Sequence, residues 1–146
     1  MQNREREQIV SVARAAVGTP WRHQGRVAGL GLDCIGLLVH VARELDLDGA
    51  GYASTNYAHF PDQARVQREL AEYLDRITFA DSQPGDVALI ADDDNHSVHT
   101  GIIALDLAGA LTLIHASARN RRVVEQCFDA DLRRRVRGAY RWRGLD

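Results

Sequence analysis

The chain has 146 residues, a length that fits one domain with its own core, and 45% of its residues are hydrophobic against 26% charged. Its formal net charge of −2 argues against a dedicated nucleic-acid-binding protein, because such proteins carry a strongly basic surface. No apolar run approaches the roughly 18 residues of a membrane span, so we expect no membrane insertion. Two cysteines, Cys34 and Cys127, are too few for a disulfide framework.

Three amphipathic segments predict helices in the first half of the chain. The first, over residues 9–17, has apolar residues at helical spacing and ends at Gly18 and Pro20. The second follows a glycine-rich loop and runs from about Cys34 to Leu45. The third follows Pro61, and its apolar positions are Val66, Leu70, Tyr73, Leu74 and Ile77.

The second half of the chain changes to short β-prone runs separated by turn residues. A tight turn is predicted at 108–110. Helices first and an antiparallel meander second predict an α+β fold in a single domain over residues 1–146. The predicted strands are residues 85–91, 100–107, 111–117, 121–127 and 137–143.

Cys34 lies where the second helix is predicted to begin. Asp33 suits the N-cap position, because its carboxylate can accept hydrogen bonds from backbone N–H groups of the first turn. The partial positive charge of a helix N-terminus favours a thiolate, so we expect a lowered pKa and a nucleophilic sulfur. The same N–H groups would stabilise an oxyanion. A buried, unreactive cysteine is the alternative, since free cysteine is among the most buried residue types.

Two histidines of the predicted sheet are candidates for the base that a cysteine nucleophile requires. His99 opens one strand, and His115 lies within the next strand, which should pair with the first. We therefore expect His99 to act as the base and His115 to orient its imidazole by a hydrogen bond, as in a catalytic triad. A buried structural histidine is the alternative interpretation of His115.

The other polar residues have plainer interpretations. A zinc site built from both cysteines, His99 and His115 would lack any closely spaced ligand pair, so we predict no metal and no cofactor. Cys127 is interpreted as a core or edge-strand thiol, and Asp92–Asp94 as a turn rather than a calcium loop. Nine arginines between Arg119 and Arg143 either meet substrate carboxylates or form a solvated strand face, which is the preferred interpretation. Three histidines are assigned no role: His40, His59 and His96.

Several motifs, in this order, resemble those of the NlpC-type cell-wall cysteine peptidases. They are GTPWRHQG (18–25), LDCIGLLVHVARE (32–44), PGDVALI (84–90), HTGIIAL (99–105) and IHAS (114–117). The resemblance runs from about Val12 to Ala118, and residues 123–142 resemble the ending of the family's phage-tail branch. It implies a papain-like α+β fold, with N-terminal helices packed on an antiparallel sheet. It also implies hydrolysis of peptidoglycan stem peptides, typically between γ-D-glutamyl and a diamino acid such as diaminopimelate.

The resemblance also implies a role for each matching residue. Cys34 would be the nucleophile, His99 the general base and acid, and His115 the orienting partner of His99. Asp33 corresponds to a residue that in relatives helps to hold the free amine of the stem peptide. The chain is therefore expected to be a cysteine endopeptidase that needs no cofactor.

Two positions depart from the family pattern. Ile35 replaces the usual serine after the cysteine, which removes a hydroxyl from the substrate side. Trp21 replaces the usual tyrosine at the oxyanion or amine site, and it keeps one N–H donor but has no phenolic oxygen. His23, two residues further on, is a candidate to substitute for that tyrosine.

The N-terminal residues 1–18 are charged and amphipathic, unlike a signal peptide. We therefore expect synthesis in the cytoplasm, followed by a place in a virion tail or delivery to the host periplasm. The expected partners are peptidoglycan stem peptides and other phage tail proteins. Two other classes stay open: a tail assembly or binding module with weak or no catalysis, and a thiol amidase or acyltransferase on the same fold.

Overall fold

The computed structural model describes residues 2–52, 57, 62–92 and 97–145, and these contain four α-helices and eight strands. The helices are α1 (Gln2–Ala15), α2 (Cys34–Leu45), α3 (Gln63–Tyr73) and α4 (Ala130–Arg134). The strands are β1 (Arg26–Val27), β2 (Gly31–Leu32), β3 (Leu74–Ile77), β4 (Val87–Ala91), β5 (Val98–Leu105), β6 (Leu111–Ser117), β7 (Arg122–Cys127) and β8 (Val136–Trp142). None of the described helices has the length and apolar character of a membrane span.

Six strands form one antiparallel sheet in the order β3-β8-β4-β5-β6-β7. The run from β4 to β7 is the predicted meander, whereas β8 returns to pair with β4 and β3 at the other side. The glycine-rich loop before α2 contains the short hairpin of β1 and β2, which the sequence analysis did not anticipate. The α+β class predicted from the order of the elements is confirmed.

The sheet separates two apolar clusters, because successive side chains of a strand point to opposite faces. Helices α1 and α2 pack on one face, where Ile9 and Val41 join Leu89, Ile102 and Ile114 in the larger cluster. On the other face, the smaller cluster combines residues of α4 and the preceding loop with strand residues: Phe128, Leu132, Ile90, Ile103 and Leu113. The core thus fixes α2 against the middle of the sheet.

The third helix is shorter than predicted. It ends at Tyr73, and residues 74–77 form β3, in which Leu74 pairs with Trp142 and Ile77 with Ala139. The apolar spacing of Leu74 and Ile77 fits a helix locally. The edge of β8, however, offers backbone hydrogen bonds to an extended segment, and this tertiary pairing overrides the local pattern.

One end of the sheet collects residues from five strands. Because the strands are antiparallel, the last residues of β4 and β6 lie at the same end as the first residues of β5, β7 and β8. Asp92 follows β4, His99 is the second residue of β5, and Arg135 precedes β8. His99, and His115 near the end of β6, therefore lie at this end of the sheet.

Candidate active site

The start of α2 is built by Asp33 and by the glycine of the Asp-Cys-x-Gly motif. Asp33 has extended backbone angles (φ −103°, ψ −173°), and its Oδ1 accepts the backbone N–H of Gly36 at 2.7 Å, as an N-cap residue does. A Cβ on Gly36 would overlap the carbonyl oxygen of Gly25, so only glycine lets the loop pack on the first turn. The predicted start of the helix at Cys34 is confirmed.

Cys34 is held against the strand that carries His99. The Thr100 hydroxyl donates a hydrogen bond to the Cys34 carbonyl at 3.3 Å, and Thr100 directly follows His99 in β5. The Cys34 residue is 9% exposed. The residue borders a cleft of about 580 Å³ at the end of the sheet.

The cleft brings together most of the residues that the sequence assigned to the site. Cys34, His99 and His115 all line it, together with Asp33 and Trp21. The predicted base and nucleophile therefore share one solvent-connected space. His23 is not among the described residues that line the cleft.

His99 is oriented by a residue that the sequence analysis did not select. Its Nδ1 lies 2.6 Å from Oδ1 of Asp92, whose other oxygen accepts the Ser97 hydroxyl at 2.6 Å. Burial opposes ionisation of Asp92, but the hydrogen bonds from His99 and Ser97 prevail and hold its pKa below the ordinary value. An ionised carboxylate can only accept, so Nδ1 donates to it, and in the neutral ring Nε2 keeps a lone pair. Nε2 of His99 is buried and has no hydrogen-bond partner among the described residues.

The hydrogen bond predicted between His115 and His99 is wrong. The two rings stack instead, with centroids 4.9 Å apart and planes at 26°. Nε2 of His115 lies 2.6 Å from Oε1 of Gln126 on β7. Since an amide oxygen only accepts, Nε2 is the protonated nitrogen of His115. Asp92 thus occupies the position at Nδ1 of His99 that the sequence analysis gave to His115.

His115 is a neutral ring in this arrangement. Burial, and then the proximity of His99, lower the pKa of His115 to about 4. Its Nδ1 is buried without a hydrogen-bond partner among the described residues. His115 therefore supports the His99 ring by contact.

The expected lowering of the Cys34 pKa is also wrong. Burial, and then the neighbouring Asp33 carboxylate, raise the pKa of the thiol to about 12, although hydrogen bonds from Thr100 act in the opposite direction. The start of a helix is typically worth about 0.3–1 kcal/mol, which is less than one pKa unit. Burial therefore outweighs it, and the resting sulfur is a thiol that must give its proton to a base.

The Asp33 carboxylate already accepts four hydrogen bonds from within the protein. Besides Gly36, its carboxylate accepts hydrogen bonds from the Gln24 backbone N–H at 2.7 Å, the Arg26 guanidinium at 3.2 Å and the Tyr57 hydroxyl at 2.7 Å. A carboxylate has about four acceptor sites, so an amine could be held only by displacing one of these donors. Asp33 thus ties the loop, the hairpin and Tyr57 to the start of α2.

Tyr57 brings a phenol to the cleft from a different part of the chain than the family pattern implies. Its hydroxyl donates to Asp33 and accepts from Arg26 at 2.6 Å. Burial and the Asp33 carboxylate raise the pKa of Tyr57. His23 packs edge-on against the Tyr57 ring, with centroids 5.6 Å apart. His23 therefore lies behind Tyr57, while Trp21 lines the cleft itself.

Ile35 and Cys127 do not line the cleft. Ile35 is buried in an apolar cluster with Val39 and Tyr52, so the position that usually carries serine is packed in the interior. Cys127 is exposed at the end of β7, the edge strand, which confirms the edge-strand interpretation. Within the described residues, no group of three or more His, Cys, Asp or Glu side chains is arranged to hold a metal ion. His59, His96, Asp93 and Asp94 lie outside the described residues.

The signals for Asp92 and Gln126 were present in the sequence but ambiguous. Asp92 ends an apolar strand one hairpin before His99, yet it is the first of three consecutive aspartates, and nothing local says which one returns to the ring. Gln126 pairs with Leu113 and lies diagonal to His115 in the sheet. That relation depends on a register that the sequence does not specify.

No protein-family model matches the chain, and no curated protein sequence is significantly similar to it. Solved structures are similar in fold. NlpC2 from Trichomonas vaginalis superposes with a TM-score of 0.68 at 20% identity, over 94% of this chain and 46% of that one. The NlpC/p60 domain of the peptidoglycan hydrolase SagA superposes with a TM-score of 0.60 at 21% identity, over 92% of this chain and 97% of that domain.

An N-acetylmuramoyl-L-alanine amidase from Bacteroides uniformis ATCC 8492 is also similar, with a TM-score of 0.63 at 12% identity, over 96% of this chain and 99% of the amidase. The fold is thus that of NlpC/p60 domains, which confirms the fold implied by the sequence motifs. The chain spans less than half the length of NlpC2.

Proposed function

We propose that the chain is a cysteine peptidase that hydrolyses peptidoglycan stem peptides. The observation that carries the proposal is that Cys34 and His99 line one cleft, with Nδ1 of His99 bound to Asp92 and Nε2 left as the basic nitrogen. This is the arrangement of a nucleophile, a base and an orienting carboxylate. The structural similarity to the NlpC/p60 domain of a peptidoglycan hydrolase supports the same reaction class.

The proposed reaction begins when Nε2 of His99 takes the proton of the Cys34 thiol as the sulfur attacks the peptide carbonyl. The resulting oxyanion would be stabilised by the first-turn N–H groups of Cys34 and Ile35, which have no acceptor within the helix. The tetrahedral intermediate collapses as the His99 imidazolium gives its proton to the leaving amine. A thioester between Cys34 and the acyl group remains.

The second half of the reaction returns the enzyme to its starting state. His99 takes a proton from water, the hydroxide attacks the thioester carbonyl, and the carbon–sulfur bond breaks. The sulfur recovers the proton from His99, and the acid product leaves. Asp92 stays ionised and stabilises the imidazolium, while the neutral His115 ring adds no second positive charge beside it.

The finer assignments extend the resemblance of the motifs. We propose cleavage of the bond between γ-D-glutamyl and a diamino acid, with His115 as a supporting member of the site and Trp21 and Asp33 on the substrate side. We further propose that the chain acts with a phage tail, either in the virion or after delivery to the host periplasm. The motifs of residues 123–142 support the tail association.

Two alternatives have support of their own. An amidase that cleaves the bond between muramic acid and L-alanine is favoured by the similarity to the Bacteroides uniformis amidase over nearly the whole of both chains. A binding or assembly module with weak catalysis is favoured by Ile35. This residue lacks the serine hydroxyl that is usual at the position, and its side chain is buried in an apolar cluster.

Digestion of purified peptidoglycan, with the products identified by mass spectrometry, tests the proposal. We expect the wild type to release fragments with a new amine on the diamino acid, and Cys34→Ala to release none. Cys127→Ala is the matched control and should behave as the wild type. A new amine on L-alanine would favour the amidase instead, and equal digestion by wild type and Cys34→Ala would refute the peptidase.

A further inference from the structure

Two arginines line the cleft that contains Cys34 and His99. Of the nine arginines between Arg119 and Arg143, these two, Arg119 and Arg135, are the ones that belong to the described cleft wall. Others in the same stretch have structural partners elsewhere; Arg141, for example, bonds to the buried Asp86. The structure thus separates two arginines from what the sequence presents as a uniformly basic segment.

The two arginines lie on opposite sides of His99. In the sheet order, β8 is two strands to one side of β5, and Arg135 directly precedes β8. Arg119 lies in the turn after β6, the neighbour of β5 on the other side. Strands are about 4.8 Å apart. Arg119 and Arg135 therefore belong to segments of the cleft wall on opposite sides of His99.

Arg135 is fixed in place. It donates to the Ala91 carbonyl at 2.8 Å and to the Asp131 carboxylate at 3.0 Å, and its side chain is 22% exposed. Its charge reaches the interior of the site, since it contributes to the lowered pKa values of Asp92 and His115. Arg135 thus brings to one end of the cleft a guanidinium that is already paired with Asp131, through Nε at 3.2 Å and Nη2 at 3.0 Å.

Arg119 lies in a turn that is stabilised by its own hydrogen bonds. The backbone N–H and the side-chain amide of Asn120 both donate to the Ser117 hydroxyl at 3.0 Å. Arg119 is exposed, and both Ser117 and Asn120 also line the cleft. The second guanidinium is therefore presented from a short, hydrogen-bonded turn.

The two carboxylates of the described cleft wall already have partners. All four acceptor sites of Asp33 are used, as described above, and the two oxygens of Asp92 accept from His99 and Ser97. Arginine matches carboxylates in a planar, two-pronged geometry. We propose that Arg119 and Arg135 each bind a substrate carboxylate, one on either side of the scissile bond, so that the cleft selects free over amidated carboxyls.

The proposal rests on the proposed peptidase function and defines its substrate class more closely. A γ-glutamyl bond uses the side-chain carboxyl, so the α-carboxyl of that glutamate lies free on the acyl side. Diaminopimelate carries two carboxyls on the leaving side, and its side-chain carboxyl stays free when its main-chain carboxyl is bonded to the next residue of the stem. A stem peptide with both groups free offers one anion to each arginine, and amidation of either group removes one.

Kinetics on four synthetic γ-D-glutamyl–diaminopimelate peptides test the proposal, each with the main-chain carboxyl of diaminopimelate blocked as a methylamide. In the four peptides the glutamyl α-carboxyl and the diaminopimelate side-chain carboxyl are both free, either one is amidated, or both are amidated. We expect each amidation to lower kcat/KM of the wild type about tenfold, the low end for hydrogen bonds to charged groups. Arg119→Gln should lose the preference at one carboxyl and Arg135→Gln at the other. Arg122→Gln and Arg134→Gln remove the same charge from exposed neighbours outside the described cleft wall and should keep both preferences.

Loss of the preference in neither arginine variant, or equal rates of the wild type on all four peptides, would overturn the proposal. Should Arg135→Gln fail to fold, the Arg119→Gln result decides it. Binding of the same peptides to Cys34→Ala, measured by calorimetry, tests the arginine sites separately from the peptidase function. Tighter binding of the free form to Cys34→Ala, with no cleavage by the wild type, would reject the peptidase and keep the anion sites. Cleavage by the wild type without any preference among the four peptides would keep the peptidase and reject the anion sites.

Discussion

The two ends of β4 carry aspartates that are used in opposite ways. Asp86, just before the strand, is completely buried and accepts hydrogen bonds from Arg6 at 2.9 Å, from the Gln83 backbone at 2.8 Å, and twice from Arg141 at 3.1 and 2.9 Å. Asp92, just after the strand, binds His99 and lies at the cleft. Every acceptor site of Asp86 is filled, and its negative charge is matched by arginines from α1 and β8.

Around Asp92, in contrast, not every buried polar atom has a hydrogen-bond partner among the described residues. Nε2 of His99 and Nδ1 of His115 are buried with no hydrogen-bond partner among the described residues. An unpaired buried polar atom costs about 1–3 kcal/mol, so a fold keeps one where chemistry or a ligand needs it. Burial of charge therefore does not distinguish the candidate site from the rest of the fold. What distinguishes it from the surroundings of Asp86 is the hydrogen-bonding capacity left open on the two histidine rings that line the cleft.

Substitution of Asp92 should give the largest loss of activity among changes that leave Cys34 and His99 in place. We expect Asp92→Asn to lower kcat by about 10³–10⁴, because asparagine cannot stabilise the imidazolium and permits the wrong tautomer of His99. His115→Gln should cost about tenfold or less, since His115 makes no hydrogen bond to His99. Single-turnover rates on a defined stem peptide measure both. A larger loss in His115→Gln than in Asp92→Asn would restore the role first assigned to His115.

Substitution of Asp86 should reduce stability rather than catalysis. Asp86→Asn leaves Arg6 and Arg141 without their shared anion, and breaking a buried ion pair costs about 3–5 kcal/mol of unfolding free energy. Denaturant titration measures the loss, and kcat of the remaining folded fraction should equal that of the wild type. A variant of normal stability with low kcat would contradict the division between the two aspartates.

The neutral state of His115 should make stability depend on pH. Its pKa is about 4 in the folded chain and about 6.5 in the unfolded one, so the unfolded state binds more protons between these values. This difference in the pKa of His115 adds about 3 kcal/mol to the free energy of unfolding above pH 6.5, relative to pH 4. The added stability is lost as the pH falls from 6.5 to 4. Unfolding free energies of the wild type and His115→Gln over this range test it, and the variant should show a smaller slope. Identical slopes would show that His115 titrates normally.

Alkylation should label the two cysteines at different rates. This difference in rate is the smallest of the expected effects. Because Cys34 is buried and its thiol pKa is raised to about 12, iodoacetamide at pH 7 should label the exposed Cys127 first. Peptide mass spectrometry over time gives the two rates, and Cys127→Ala provides the Cys34 rate without competition. Faster labelling of Cys34 at pH 6 would mean that the helix start activates the sulfur after all.

The sequence predicts those parts of the site that local structure determines. Asp33 and Gly36 fix the start of α2 at Cys34, and the apolar run after His99 defines β5, so both key residues were identifiable. The partner of His99 depended on side-chain directions across a hairpin, and the end of α3 depended on a distant strand. Burial of the thiol likewise follows from packing, and this reversed the direction expected for its pKa.

Detection of an acyl-enzyme on Cys34 tests the central claim most directly. A γ-D-glutamyl–diaminopimelate peptide mixed with the protein and quenched at short times should add the mass of the acyl fragment to the Cys34 peptide. Asp92→Asn should form the adduct more slowly, and Cys127→Ala should form it as the wild type does. Product release at the wild-type rate by Cys34→Ala, with no adduct on Cys34 in the wild type at any time, would contradict the account.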